Sequence, residues 1–130
     1  MKLRALVVDD SRVMRMMVKD SLSKTNLAEF EFTEAVDGAD ALDKFNPKKT
    51  DIIFADWNMP NMSGVDFARE VRAMGNTEHI PIVMVTSEKT MSKIEEALDS
   101  AGANAFISKP FTVEYMLRKI GPVIRALEGK

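Results

Sequence analysis

Phe54-Ala55-Asp56-Trp57-Asn58-Met59-Pro60-Asn61-Met62-Ser63-Gly64 is the stretch on which the reading of the whole chain turns. It completes an apolar run, Ile52 to Ala55, with the length and composition of a short buried strand, and that run ends on a carboxylate, Asp56. Pro60 and Gly64, with Asn58, Asn61 and Ser63 around them, then impose a loop before helical spacing resumes. Open α/β sheets bind their ligands outside the carboxyl ends of the strands. Asp56 is therefore either a polar strand terminus or part of a site, and the flanking segments decide which.

Upstream, Leu3 to Val8 is mostly apolar, as expected of a strand buried on both faces, and it runs into Asp9-Asp10-Ser11. Met14, Met17, Val18 and Leu22 then recur as one helical stripe. Glu31 to Val36 alternates and reads as an edge-like second strand; Asp37-Gly38 makes a turn. Ala41, Leu42 and Phe45 give the next helix its inward face before Asn46-Pro47 stops it. Downstream of Asp56, a third helix carries Val65, Phe67, Ala68, Val71 and Met74 and ends at Gly75-Asn76. Pro81 to Val85 is a fourth strand leading to Thr86-Ser87. Met91, Ile94, Leu98 and Ala101 mark a fourth helix, closed by Gly102. Ala105 to Ile107 is a short fifth strand before Ser108-Lys109-Pro110, and Val113, Met116, Leu117, Ile120, Ile124 and Leu127 repeat along a fifth helix that Gly121-Pro122 should bend. Five alternations of strand and helix with short connections predict an α/β fold: a five-stranded, parallel, doubly wound sheet with five helices in one domain over residues 1–130.

Composition narrows the function. With 29% charged and 45% apolar residues the chain has globular proportions, and its net charge of −2 with no basic stripe gives no general attraction to nucleic acid. No apolar run approaches the roughly 18 residues of a membrane span, and no secretory signal opens the chain. The absence of cysteine excludes disulfides, thiolate catalysis and thiolate metal sites and is compatible with a cytoplasmic location. His79, the one histidine, has no second histidine for a zinc pair and reads as a solvated loop residue.

The polar residues that interrupt the pattern fall just after strands: Asp9 and Asp10 after the first, Asp56 after the third, Thr86 after the fourth, Lys109 after the fifth. Each has an ordinary reading by itself. Asp10 or Ser11 can cap a helix, Thr86 can be a strand or cap residue, and Lys109 a surface lysine. In a parallel sheet, however, these strand ends share one edge, so groups scattered over about a hundred residues converge. Three carboxylates at one edge repel unless a cation or a proton intervenes. A hard oxygen site with few protein ligands suits Mg²⁺, which keeps waters and accepts a phosphate oxygen. The Lys109 ammonium and Thr86 hydroxyl can hold further phosphoryl oxygens, leaving Asp56 as a nucleophile that becomes an aspartyl phosphate.

Val7-Val8-Asp9-Asp10, Asp56-Trp57-Asn58-Met59-Pro60, Met84-Val85-Thr86-Ser87 and Ser108-Lys109-Pro110-Phe111, in this order and spacing, resemble the receiver domain of two-component response regulators, most of all the single-domain chemotaxis type. The resemblance spans nearly the whole chain. It implies a flavodoxin-like sheet of strand order 2-1-3-4-5 and a Mg²⁺-dependent phosphoacceptor, Asp56, charged by a sensor histidine kinase. It also implies that Asp10 and Asp56 ligate Mg²⁺ directly, Asp9 through water and Asn58 through its main-chain carbonyl. Lys109 would pair with Asp56 or its phosphate across a cis bond to Pro110. Thr86 would swing toward the phosphate, Phe106 would follow, and the outer face of the fourth helix, fifth strand and fifth helix would change. Chemotaxis relatives commonly carry tyrosine where this chain has Phe106, so the ring here offers no hydroxyl to a partner. Asn58 and Glu88 match the pattern of quick self-dephosphorylation and imply a short-lived phosphoryl state, which a half-life of hours in Mg²⁺ would contradict.

The resulting expectation is a signalling protein rather than an enzyme: a monomeric, cytoplasmic phosphoprotein with no output domain, whose output is a protein such as a flagellar motor switch component, with no nucleic-acid or membrane partner. A phosphorelay shuttle passing its phosphoryl group to a histidine phosphotransfer protein is the alternative within signalling. Metal-dependent phosphatases of the haloacid-dehalogenase type share the chemistry but want Asp-x-Asp at the nucleophile, where this chain has Asp56-Trp57-Asn58, and a cap for which 130 residues leave no room. Acidic loops likewise oppose a flavin phosphate.

Overall fold

Residues whose side chains are apolar on both faces form the middle of the sheet, as the uniform burial of Ile52–Ala55 and Ile82–Thr86 shows. The computed structural model describes residues 1–87, 94–95, 98–99 and 101–129. Its elements are β1 (Lys2–Val8), α1 (Arg12–Lys24), β2 (Glu29–Ala35), α2 (Gly38–Lys44), β3 (Ile52–Ala55), α3 (Gly64–Ala73), β4 (Ile82–Thr86), β5 (Ala105–Ser108) and α4 (Val113–Glu128). The five strands are parallel in the order β2-β1-β3-β4-β5, the flavodoxin-like order that the resemblance implies.

The period-2 alternation of each strand divides the core into two layers. Leu6, Val8, Ile53, Ala55, Ile82 and Met84 point to one face, where Val65, Phe67, Ala68 and Val71 of α3 and Ala41 of α2 cover them. Ala5, Val7, Ile52, Phe54, Val83, Val85 and Ile107 point to the other, against Val18 and Leu22 of α1 and Met116, Ile120 and Ile124 of α4. Both faces of the sheet are thus sealed, and the strand ends are what the fold leaves for chemistry.

Several expectations shift. Of the five expected helices, four have bounds among the described residues. In the segment expected to be the other one, Ile94 and Glu95 are helical, and Met91 lies outside the described residues. α4 corresponds to the fifth expected helix and continues through Gly121 and Pro122. β2 begins at Glu29 and closes at Ala35, leaving Val36, placed in the strand by its apolar side chain, 48% exposed. Met17, Met74 and Leu117, which the helical spacing puts on inward stripes, are exposed. Met17 lies one position, about 100° of helix, from Val18, which faces the core. Met74 caps α3 after its last turn, so no helical face continues to it. Among the described residues, no helix is long and apolar enough to cross a membrane.

Candidate functional site

Register builds the site. Val8 of β1 lies opposite Ala55 of β3, so Asp9 and Asp56, each one residue further on, emerge side by side. The main-chain ladder holds both: the Asp9 N–H donates to the Ala35 carbonyl at 3.1 Å and the Asp56 N–H to the Val8 carbonyl at 2.9 Å. On the other side of the sheet Thr86 pairs with Ser108, and the next residue, Lys109, donates its N–H to the Thr86 carbonyl at 2.9 Å. The Lys109–Pro110 bond is cis.

At this edge the Lys109 ammonium sits 3.2 Å from Asp9 Oδ2 and 3.3 Å from Asp56 Oδ1, bridging the first and third strands. Asp10 completes the cluster: one carboxylate oxygen from each of Asp9, Asp10 and Asp56 lies within 4.8 Å of the others. Asp9 and Asp56 are buried and Asp10 is exposed, so the cluster opens to solvent on the Asp10 side. Asp9 is aimed by its own loop, its Oδ1 accepting the Ser11 N–H at 2.8 Å, while Ser11 caps α1 by accepting the Met14 N–H. The cap role therefore falls to Ser11, not to Asp10.

Burial pushes the Asp56 carboxyl above the ordinary aspartate range; Lys109 opposes that shift, and the neighbouring Asp9 reinforces it. Among the described residues three carboxylates face one ammonium, which leaves negative charge uncompensated in a largely buried site. Such a donor set fits a hard divalent cation with room for water and a further oxygen ligand, as Mg²⁺ requires.

The remaining expected site residues are placed more loosely. Thr86 is buried at the end of β4 and joined to Lys109 through its carbonyl. Asn58 is exposed in the loop after Asp56. Phe106, in β5, is half-buried, with the Lys119 ammonium 5.0 Å from its ring centre. His79 is exposed, as a solvated loop residue should be. Glu88 lies outside the described residues.

The loop after Asp56 closes on itself: the Gly64 N–H donates to the Trp57 carbonyl at 2.9 Å. Gly64 is required there, because a Cβ would lie 2.0 Å from the Asp56 carbonyl oxygen. A support that the sequence reading missed is Arg15. Its guanidinium donates to the Asp9 carbonyl at 2.6 Å and to Glu34 at 2.9 Å, while Lys19 reaches the other Glu34 oxygen. Lys19 first, and then Arg15, hold the Glu34 carboxyl below its usual range. The available signal was the i, i+4 spacing of Arg15 and Lys19 on a helix beside a strand glutamate.

Residues 5–121 match the response regulator receiver domain family. The chain is 38% identical to the chemotaxis protein CheY of Pseudomonas aeruginosa over 130 residues, which cover 98% of this chain and all of that protein. It is also 38% identical to chemotaxis protein CheY1 of Helicobacter pylori, over 94% of this chain and 97% of that one. Among solved structures, Vibrio cholerae chemotaxis protein CheY4 superposes with a TM-score of 0.80 at 33% identity, covering 95% of this chain and 99% of that one.

Proposed function

We propose, because the chain belongs to the response regulator receiver domain family, that it is a chemotaxis-type phosphorylation switch with Asp56 as its phosphoacceptor. The observation that carries this reading is the Lys109 ammonium held between Asp9 and Asp56 beside a third carboxylate, Asp10. Asp56, Asp10 and, through water, Asp9 would hold Mg²⁺ with the Asn58 carbonyl. Bound there, the ion would offset carboxylate charge and hold phosphoryl oxygens.

An oxygen of Asp56 attacks the phosphorus of a phosphohistidine on the donor kinase. The P–N bond breaks as the P–O bond forms, and the imidazole leaves with the electron pair and takes up a proton. Lys109, already 3.3 Å from Asp56, exchanges a carboxylate oxygen for a phosphoryl oxygen and so neutralises developing charge without a change of position. Thr86 supplies a hydroxyl at the neighbouring strand end, and Phe106, twenty residues further along the chain on the adjoining strand, follows its movement. The result is read on the face of β5 and α4, where Lys119 covers Phe106 and the Arg118 guanidinium lies 5.8 Å from the Tyr115 ring centre. The partner on that face is a protein, such as a flagellar motor switch component; the domain acts as a cytoplasmic monomer. Asn58 and Glu88 keep the phosphoryl state short-lived.

The experiment is a fluorescence titration of Trp57, the one tryptophan and a buried neighbour of Asp56. Mg²⁺ should give a saturable change and beryllofluoride a second one, lost in Asp56→Asn. A signal indifferent to both additions would overturn the reading.

A further inference from the structure

The loop that follows Asp56 is held in an unfavourable shape by a residue pair to which the switch chemistry assigns no part. Asn61 has φ +69°, and the residues flanking it are joined by a hydrogen bond from the Met62 N–H to the Pro60 carbonyl at 2.7 Å. This is a tight γ-turn with its central residue at positive φ, a rare and strained arrangement for a residue with a side chain. Strain of this kind persists only where surrounding contacts over-determine it. Core packing holds the neighbouring Met59 and Met62 but does not reach the exposed Asn61 or supply contacts to it.

Two contacts from the start of α2 do. The Asn61 side-chain amide donates to Asp37 Oδ2 at 2.7 Å. Asp37 is buried, and its other oxygen accepts the Asp40 N–H at 2.8 Å as the cap of α2. Both carboxylate oxygens are thus committed, one to its own helix and one to the loop. Those two hydrogen bonds, the Asp40 amide foremost, also keep the carboxyl below its ordinary range and therefore ionised. Beside this pair, Gly38 lets the loop lie directly on the helix start, since a Cβ there would meet the Met62 side chain at 2.7 Å.

We infer that Asp37 and Asn61 are positioning residues for the metal site, tethering the Trp57–Ser63 loop to the β2–α2 turn so that Asp56 and Asn58 present their oxygens to Mg²⁺ together. The inference rests on the metal reading of Asp9, Asp10 and Asp56. Asn58 lies between Asp56, fixed by the sheet, and Asn61, fixed by Asp37. With the tether gone, the γ-turn can relax and the segment carrying Asn58 loses the one hydrogen-bonded anchor at its strained residue, while the Gly64–Trp57 bond and the packing of Met59 and Met62 remain. Groups that orient a metal ligand without touching the metal typically change affinity by about 10–100-fold when altered.

The test separates geometry from charge and from helix capping. Asp37→Ser keeps a side chain that caps as well as aspartate but is too short to reach Asn61. Asn61→Asp opposes two carboxylates across the tether. The exchanged pair Asp37→Asn with Asn61→Asp restores one donor and one acceptor at unchanged net charge. Mg²⁺ affinity is read from Trp57 fluorescence at fixed ionic strength, with a thermal melt of each variant. Asp37→Ser and Asn61→Asp should each weaken Mg²⁺ binding by about tenfold, and the exchanged pair should return it to within about twofold of wild type. Wild-type affinity in folded single variants, or failure of the exchanged pair to recover, overturns the inference. If wild type itself gives no saturable Mg²⁺ response, the metal reading falls and the tether inference falls with it.

Discussion

Asp56→Asn should make the metal-free protein more stable, although it deletes a partner from an ion pair. The Asp56 carboxylate gains from Lys109 at 3.3 Å, which at an effective dielectric of about 20 is worth about 5 kcal/mol. Against this stands the buried Asp9, with an oxygen within 4.8 Å of Asp56, whose repulsion at that distance is about 3.5 kcal/mol; Asp10 is exposed and screened by solvent, so it adds less. What remains of the attraction, about 1.5 kcal/mol, is smaller than the several kcal/mol that burying a carboxylate costs, and burial is the largest influence on this carboxyl. The direction agrees with the Asp56 carboxyl being pushed up, by burial first and by Asp9 besides. A gain of about 2 kcal/mol in a domain of this size raises the melting temperature by about 7 °C.

The pH dependence gives the sharper check. An acid whose pKa is raised on folding contributes stability that is fully present below its unfolded pKa and is lost as pH rises through its folded value. Wild type should therefore approach Asp56→Asn at acid pH and fall behind it toward neutrality. Melts in chelator between about pH 4 and pH 8 read this directly by circular dichroism or calorimetry. Mg²⁺ at ten times its dissociation constant should return about 1.4 kcal/mol to wild type alone, closing much of the gap. A variant that melts at or below wild type at neutral pH in chelator would refute the charge-balance reasoning. So would a difference that is the same at both ends of the pH range.

Gly64→Ala places a methyl carbon 2.0 Å from the Asp56 carbonyl oxygen, so it should cost about 3 kcal/mol and blunt the Mg²⁺ response of Trp57; a melting temperature unchanged from wild type in calorimetry would contradict the close approach. Asp10→Asn removes the exposed member of the cluster. It should raise the chelator melting temperature and abolish Mg²⁺ binding in the fluorescence titration, and a lowered melting temperature would count against repulsion among the three carboxylates.

The sequence made the chemistry legible because the chemistry sits at strand ends, and strand ends are where uniformly apolar runs stop. Asp9, Asp56 and Lys109 needed only the order of the strands and a common edge, and the register of Val8 with Ala55 and of Thr86 with Ser108 then brings them together. The supports were not legible for the opposite reason. Whether Arg15 reaches the Asp9 carbonyl, or Asn61 reaches Asp37, depends on side-chain reach between loops, and no periodicity encodes it. Met17 and Leu117 failed for a third reason: apolar residues at the edge of a helical stripe satisfy the spacing without facing the core. These differences have one energetic root. A site that, among the described residues, gathers three carboxylates around one ammonium works against the fold that holds it. Its geometry must therefore be imposed from outside the cluster, by the Asp37–Asn61 tether and the Arg15 contact. Site and support should consequently answer mutation with opposite signs: neutralising Asp56 or Asp10 stabilises the metal-free chain, whereas cutting Asp37 from Asn61 does not stabilise it, and both weaken the grip on Mg²⁺.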